Sequence, residues 1–267
     1  MAEENAMQAE QMSFRARLIG AWEHSDSLVC VGLDPDFDRL PNRFRGQEMP
    51  YFEFCREVVD ATAAHVAAFK PQHAHFAAFG REAELERLIQ YIKTEYPQHV
   101  VILDAKRGDI GSTAAYYAEE AYVRYGADAV TVNPYLGEES IQPFLAHQDK
   151  GIVVLCRTSN ADSGWLQNQG EPPLYLRVAE RVREWDVGHQ CMLVAGATYP
   201  EELGKIRSVA GDVPLLVPGV GAQGGDPEAV LQQGRDADGR GAARQQLRRQ
   251  RGHGRHHRAS HRLRQRD

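Results

Sequence analysis

The chain has 267 residues, of which 42% are hydrophobic and 25% are charged. These fractions are those of an ordinary folded protein, and they exclude a collagen-like chain, a fully disordered chain and a disulfide-stapled scaffold. No apolar run approaches the roughly 20 residues that cross a bilayer, and the acidic start MAEENAMQAEQM is unlike a signal peptide. The four cysteines show no CxxC spacing. We therefore expect a cytoplasmic protein with no metal site.

The net charge of −6 conceals two unlike parts of the chain. Residues 239–267 hold ten arginines and one aspartate, so this tail is net +9 and residues 1–238 carry the remaining −15. The tail contains no Val, Ile, Phe or Lys. A segment of this composition has too few apolar side chains to bury a core.

Between residues 28 and 218, short apolar runs alternate with longer amphipathic stretches, which is typical of βα units and a parallel sheet. The predicted strands are SLVCVGLD, HVAAFKP, VVILDAK, ADAVTVNP, GIVVLCR, CMLVAGA and PLLVPGV. Their nearly continuous hydrophobicity indicates strands that are covered on both faces. Helical spacing of apolar residues predicts helices between them, for example over residues 80–96 and 138–148.

A polar residue or a glycine follows nearly every predicted strand, and these residues are Asp34, Lys70, Asp104, Asn133, Arg157 and Gly219. In a (β/α)8 barrel, the carboxyl ends of the strands are where the active site is built. We therefore predict an α/β chain with a (β/α)8 barrel over residues 13–238. Residues 1–12 are expected to be a flexible N-terminus. The eighth strand should follow residue 238, but the low-complexity basic tail, 239–267, begins there instead.

The strongest motif is DAKRGDIGST, which runs from Asp104 to Thr113 directly after a buried apolar run. Alternation along an extended strand puts Asp104 and Lys106 on the same side, where a carboxylate and an ammonium group can meet one ligand. The alternative is a solvated ion-pair cluster at a strand end, which contributes about 0–1 kcal/mol. Spacing alone does not separate the two interpretations.

Lys70, in HVAAFKPQ, is a second charge at the end of an apolar run. A lone lysine usually extends its ammonium group to solvent. Because the second and third strands of a barrel are neighbours, Lys70 is also placed to lie beside Asp104. At an effective dielectric of 20, two unit charges about 4 Å apart interact by roughly 4 kcal/mol, enough to keep a Lys-Asp-Lys row ionised.

The third motif is VPGVGAQGGD, a glycine-rich loop that spans residues 217–226 after the seventh strand. Barrels often bind phosphate after strands seven and eight, where backbone N–H groups suit an anion. A plain Pro-Gly turn is the alternative. A dinucleotide site is not favoured, because no second strand with an acidic residue follows about 20 positions later.

Five segments in this order resemble one family: VGLDP, FKPQ, DAKRGDIGST, LCRTSN and VPGVGAQGGD. Together they resemble orotidine 5'-phosphate decarboxylase in its longer bacterial (type 2) form. The resemblance covers residues 13 to about 241, and the arginine-rich tail is the part that departs from the family. In the family, an arginine that binds the substrate phosphate follows strand eight. The sequence context of that arginine is absent here.

The resemblance implies a charged catalytic group made of Lys70, Asp104, Lys106 and Asp109. Lys106 would be the proton donor, Lys70 would keep Asp104 ionised, and Asp109 would reach into the neighbouring subunit's site. The active unit implied is thus a homodimer.

The resemblance also implies substrate contacts. Asp34 and Thr113 would contact the ribose hydroxyls, and Ser159 would hydrogen-bond the pyrimidine. Gln223 would bridge pyrimidine and phosphate, and it lies with Gly219 in the glycine-rich loop that spans residues 217–226.

The reaction implied is conversion of orotidine 5'-monophosphate to uridine 5'-monophosphate and carbon dioxide in pyrimidine biosynthesis, with no cofactor and no metal. One alternative is a magnesium-dependent sugar-phosphate decarboxylase or lyase on the same barrel. The other is a nucleic-acid-binding module that uses the tail arginines. The expected partner is a small nucleotide. Neither nucleic acid nor a membrane is expected to bind.

The tail itself is interpreted as the product of a shifted reading frame near residue 240. Enrichment in Arg, Gln, His and Gly, with loss of Val, Ile and Phe, is what a GC-rich coding sequence gives out of frame. On this interpretation the chain as it stands is expected to have little or no activity.

Overall fold

The computed structural model describes residues 13–220 and 226–233. Seven strands lie in these residues: β1 Cys30–Leu33, β2 Ala68–Pro71, β3 Val100–Arg107, β4 Ala129–Val132, β5 Gly151–Arg157, β6 Cys191–Ala195 and β7 Leu215–Leu216. They form one parallel sheet in the order β1-β2-β3-β4-β5-β6-β7. Each predicted apolar run contains one strand, and this order is that of seven consecutive strands in a (β/α)8 barrel.

Helices precede, separate and follow the strands. They are α1 Phe14–Ser25, α2 Asn42–Arg45, α3 Pro50–Thr62, α4 His73–Ala77, α5 Glu82–Glu95, α6 Gly111–Glu119, α7 Gln142–Leu145, α8 Gly164–Gln167, α9 Leu174–Trp185, α10 Pro200–Ala210 and α11 Pro227–Gln233. A π-helical turn, Glu120–Arg124, extends α6. None of the helices within the described residues is long and apolar enough to cross a membrane.

The helix predicted over 80–96 is confirmed as α5, but the one predicted over 138–148 is wrong as a continuous helix. The structure has a 3₁₀ turn, Glu138–Ser140, followed by the single turn of α7. Pro143 lies in that turn. Because proline lacks an N–H and disfavours helical geometry at the residue before it, the segment divides there.

The strands are apolar on both faces, as predicted, because each face packs into a different cluster. In β3, Val101 and Leu103 pack into the outer cluster between sheet and helices. Val100 and Ile102 point the other way, into an inner cluster enclosed by the sheet. Strict alternation between two buried faces is what a parallel sheet covered by helices requires.

Helix α1 covers the amino-terminal end of the inner cluster. Phe14 and Leu18 are buried there. The Phe14 ring occupies the space of the absent side chain of Gly151, since a Cβ built there would lie 2.4 Å from the ring. Arg17 anchors α1 through an ion pair of 2.6 Å with the fully buried Asp128. This end of the sheet is therefore filled by packing, and the opposite end is left for the polar residues.

The predictions for residues 1–12, for an eighth strand after residue 238 and for the basic tail lie outside the described residues.

Candidate active site

Three charged side chains meet at the carboxyl ends of β2 and β3. Lys70 Nζ lies 2.9 Å from Asp104 Oδ2, and Lys106 Nζ lies 2.6 Å from Asp104 Oδ1. Asp104 is nearly buried, whereas the Lys106 side chain remains 49% exposed. One carboxylate is thus held between two ammonium groups, and one of these groups faces the open end of the sheet.

Two neutral residues, whose roles the sequence pattern did not predict, complete the surroundings of Asp104. Thr131 Oγ1 donates to Asp104 Oδ1 at 2.9 Å, and Gln72 Nε2 donates to Asp104 Oδ2 at 3.1 Å. Thr131 follows two apolar residues inside β4. The sequence signal that could have identified it is a hydroxyl side chain at a position expected to be buried in a strand. Gln72 follows Lys70-Pro71 and pairs with Asp104 in an isolated parallel bridge.

The opposite charges in the Lys70–Asp104–Lys106 row determine the protonation of Asp104 and Lys70. Burial by itself would raise the pKa of Asp104, but Lys70 and Lys106 hold it below the ordinary value for a carboxyl group. Burial would lower the pKa of Lys70, but the negative charge of Asp104, with a smaller effect from Asp34, raises it. Asp104 and Lys70 are consequently both ionised at neutral pH.

The backbone at Lys106 differs from the extended strand end that the sequence predicted. Lys106 has a φ of 48°, in the left-handed region, and the register of β3 against β4 shifts between Leu103 and Arg107. Asp104 and Lys106 do meet, as predicted, but through this turn of the main chain and not through simple alternation. Thr131 Oγ1 supports the turn by accepting from the N–H groups of Ala105 and Lys106 at 3.0 and 2.9 Å.

The rest of the DAKRGDIGST motif forms the turn into α6. A Cβ at Gly108 would lie 3.3 Å from the backbone oxygen and the Cβ of Asn133, so this close approach favours glycine. Asp109 Oδ1 accepts from the N–H of Ile110 at 2.8 Å, and within the described part of this single chain it makes no ion pair with Lys106. Thr113 lies exposed on the first turn of α6.

The other predicted substrate-binding residues follow β1, β5 and β7. Asp34 is exposed directly after β1 and lies close enough to Lys70 to affect its pKa. Ser159 follows β5 and packs against Gly196, where a Cβ would lie 2.9 Å from Ser159 Cα. Gly219 follows β7 with a φ of 98°. Gln223 lies outside the described residues.

A buried arginine supports the loop that carries Ser159. Arg157 ends β5 with its side chain 3% exposed, and it pairs with Glu202 of α10. Its guanidinium also contacts Ser163 and lies 3.9 Å from the centre of the Tyr199 ring. The sequence singles out Arg157 only by its position at a strand end, because nothing in the pattern shows whether such a charge points to solvent or inward.

None of the described residues forms a group of three or more His, Cys, Asp or Glu side chains arranged as metal ligands. The four cysteines are free thiols. Burial raises the pKa of Cys30 and of Cys156 to about 12, so both remain protonated at neutral pH.

Comparison with known proteins gives the family context of this site. A sequence model described as the Orotidine 5'-phosphate decarboxylase / HUMPS family matches residues 27–244. The chain is 58% identical over 234 residues to the orotidine 5'-phosphate decarboxylase of Ralstonia pickettii, a match that covers 86% of each sequence. It is 56% identical over 234 residues to the protein of the same name from Cupriavidus necator, again with 86% coverage of each.

Comparison with solved structures indicates the same family as the sequence comparisons. The OMP decarboxylase of Leishmania donovani superposes with a TM-score of 0.73 at 38% sequence identity, over 85% of this chain and 86% of that one. The predicted α/β barrel fold is therefore confirmed for the described strands. The family match spans the whole Lys70–Asp104–Lys106 row and every other predicted site residue. This chain belongs to the Orotidine 5'-phosphate decarboxylase / HUMPS family.

Proposed function

We propose that this protein is an orotidine 5'-monophosphate decarboxylase, a carboxy-lyase of pyrimidine biosynthesis that forms uridine 5'-monophosphate and carbon dioxide. The observation that carries the proposal is the Lys70–Asp104–Lys106 row, in which a buried carboxylate adjoins an exposed ammonium group at the open end of the sheet. The relatives at 55–58% identity carry the name of this enzyme, which favours it over the other activities of the family.

The reaction needs a site that tolerates a carboxylate in the substrate and then stabilises a carbanion. Binding energy from the phosphate and ribose, remote from the reacting carbon, would hold the substrate carboxylate against Asp104. When the carbon–carbon bond breaks, its electron pair stays on the ring carbon and carbon dioxide departs. The Lys106 ammonium stabilises this charge and delivers a proton to the ring carbon, after which solvent reprotonates Lys106.

The remaining residues are proposed to bind the nucleotide. Asp34 and Thr113 contact the ribose hydroxyls, Ser159 hydrogen-bonds the pyrimidine, and the loop from Gly219 to Gln223 receives the phosphate. The exposure of Asp34 and Thr113 at the same end of the sheet as Lys106 supports this assignment. The chemistry needs no cofactor, since each step uses a proton or a charge that the chain supplies.

The active unit is proposed to be a cytoplasmic homodimer in which Asp109 enters the partner's site and fixes Lys106. This is supported by the exposure of Ile110, directly after Asp109, and of Tyr116 and Val123 in the helical segment that follows, which are 54%, 75% and 61% exposed. Tyr116 and Val123 also line a groove of about 520 Å³ together with Thr113. Clustered exposed apolar side chains next to a functional residue are typical of a protein interface.

The direct test is to incubate the protein with orotidine 5'-monophosphate and identify both products, with and without excess EDTA. Release of carbon dioxide and uridine 5'-monophosphate at equal rates in both arms is expected. Dependence on magnesium would support the sugar-phosphate lyase alternative instead. Binding of unrelated DNA that weakens steeply with salt, without turnover, would support the nucleic-acid alternative.

The assay is best run on two proteins. One is the chain as it stands, and the other, called here the restored chain, carries from residue 239 the corresponding C-terminal segment of the Ralstonia pickettii relative. This comparison separates the chemistry of the site from the effect of the basic tail.

A further inference from the structure

The backbone conformation of Lys106 has to be maintained by its surroundings. The left-handed region is disfavoured for a residue with a Cβ, and such conformations persist only where neighbouring contacts fix them. Lys106 has a φ of 48°. Thr131 supplies one support, by accepting from the Lys106 N–H at 2.9 Å. The residue after Lys106 supplies a second one.

Arg107 returns the chain to the sheet and anchors it. It pairs with Val132 of β4, and its carbonyl accepts from the N–H of Asn133 at 2.8 Å. Its guanidinium donates through Nε and Nη2 to the two carboxylate oxygens of Glu120, each at 2.9 Å. This two-pronged geometry is specific to arginine and resists rotation of the side chain.

Glu120 is itself firmly placed. It begins the π-helical turn Glu120–Arg124, a distortion that is common near functional sites. His73 Nε2 lies 3.5 Å from Glu120 and 3.2 Å from Arg107. Burial would raise the pKa of Glu120, but His73 and Arg107 together hold it below its ordinary value. The ring of Tyr117 covers the guanidinium at 4.6 Å.

These contacts fix the backbone directly next to the flexible side chain of Lys106. The Lys106 ammonium group is carried on a flexible four-carbon side chain that is half exposed. The position of the ammonium group therefore depends on where the backbone of Lys106 is fixed. A misplacement of about 1 Å in a catalytic group costs on the order of 10²-fold in rate. Arg107 and Glu120 are both largely covered, with 18% and 21% of their side chains exposed.

We propose that Arg107, through its paired hydrogen bonds with Glu120, is a positioning residue that sets the Lys106 ammonium group against the reacting ring carbon. It acts through the backbone and does not touch the substrate. The proposal rests on the proposed function of the site, and it adds two residues of the chain to the machinery of that site.

The test compares two variants in the full chain. Arg107→Ala removes a positive charge, and Glu120→Gln removes a negative charge. The probes are uridine 5'-monophosphate and its analogue with an anionic oxygen on ring carbon 6, where the Lys106 ammonium can donate. The ratio of the two dissociation constants reports the position of that ammonium group. We expect the preference for the analogue to fall about tenfold or more in Arg107→Ala and to fall also in Glu120→Gln, while affinity for uridine 5'-monophosphate changes by less than about threefold.

The sign of the effect separates positioning from charge. A purely electrostatic role would move the preference in opposite directions, since one variant removes a positive charge and the other a negative one; that result, or an unchanged preference in both, would overturn the proposal. If Arg107→Ala does not fold, Arg107→Lys keeps the charge and loses the paired geometry, and the same fall is expected.

Amide hydrogen exchange provides a readout that needs no ligand. Arg107→Ala should speed exchange in residues 104–110, whereas the control Arg17→Ala, which breaks an ion pair at the opposite end of the sheet, should leave that segment unchanged. Unchanged exchange in residues 104–110 of Arg107→Ala would also overturn the proposal. If neither the chain as it stands nor the restored chain binds either probe, the proposed function is contradicted, and the exchange data then decide the role of Arg107 separately.

Discussion

At the scale of single residues, the site depends on one carboxylate that is kept charged although it is nearly buried. Asp104 accepts hydrogen bonds from Lys70, Lys106, Gln72 and Thr131. Burial of an unpaired carboxylate would favour protonation, and the two lysines reverse that preference. The proposed reaction needs a charged Asp104, because only the ionised form repels the substrate carboxylate held against it and holds the Lys106 ammonium group by charge.

The first prediction concerns Lys70→Ala. The depressed pKa of Asp104 contributes stability that is present above the unfolded-state pKa of about 3.9 and is lost as pH falls through the lower folded-state value. The raised pKa of Lys70 contributes stability below its unfolded-state value that is lost only as pH rises through the folded-state value. Removing Lys70 raises the pKa of Asp104, so acid unfolding should begin at higher pH.

We expect Lys70→Ala to lower the free energy of unfolding by about 1–3 kcal/mol at pH 7. Urea unfolding between pH 3 and pH 7 measures both effects. The exposed Lys205→Ala is the control and should stay within about 0.5 kcal/mol of wild type at every pH. An acid transition of Lys70→Ala that coincides with that of wild type would contradict the electrostatic account of the row.

At the scale of elements, the sequence predicted strands better than it predicted the details between them. Apolar runs located all seven strands because burial on both faces leaves a strong pattern. The adjacency of Lys70 and Asp104 followed from the order of strands in a barrel. The roles of Thr131 and Gln72 were missed, because a neutral polar residue near a strand end has no distinguishing neighbours in sequence. The left-handed turn at Lys106 was missed because it arises from contacts with β4 and α6.

A glycine outside the recognised motifs provides the prediction at this scale. A Cβ at Gly196 would lie 2.9 Å from Ser159 Cα and 3.0 Å from its nitrogen. Gly196→Ala should therefore displace the loop that holds Ser159 and weaken the hydrogen bond proposed between Ser159 and the pyrimidine. Loss of about 1 kcal/mol corresponds to roughly fivefold weaker binding of uridine 5'-monophosphate.

Isothermal titration of Gly196→Ala measures that loss, and the control is Gly20→Ala in α1, where no atom lies within 4 Å of the added Cβ. The control should bind as wild type does and be equally or slightly more stable, because alanine favours a helix by up to about 1 kcal/mol over glycine. Equal affinity in Gly196→Ala and wild type would argue against a role for Ser159 in binding.

At the scale of the whole molecule, the acidic body and the basic tail of the sequence differ in composition. The body of the chain fills the amino-terminal end of the sheet with α1 and presents the site at the other end. The tail begins where an eighth strand is expected and has no apolar pattern that predicts one. The fold of the body was predictable from sequence, whereas the sequence offers no packing argument for the tail.

The restored chain is expected to be more stable and more active than the chain as it stands. An eighth strand would pair the edges of β1 and β7, and a phosphate contact from a charged side chain contributes about 1.5–3 kcal/mol, or roughly 10-fold to 150-fold in affinity. Melting temperature and turnover of the two proteins, measured side by side, test this. Equal values for both would show that the arginine-rich tail replaces strand eight.

The proposed sharing of each site between two subunits gives a second prediction for the assembly. Inactive Asp109→Ala and Lys106→Ala chains, prepared in the restored background and mixed, should form hybrid dimers in which one site receives both an intact Lys106 and an intact Asp109. Partial activity should return. Mass spectrometry verifies subunit exchange, and hybrids that form without any recovery would place each site within one chain.

The most direct measurement for the account as a whole is the turnover of Lys106→Ala with orotidine 5'-monophosphate in the restored background. Because Lys106 is the proposed charge partner and proton donor for the ring carbon, the account predicts loss of at least about 10³-fold in kcat. Circular dichroism and binding of uridine 5'-monophosphate should stay close to those of the parent. A variant that retains more than a few per cent of the parent's turnover would contradict the account, since another group would then have to deliver the proton.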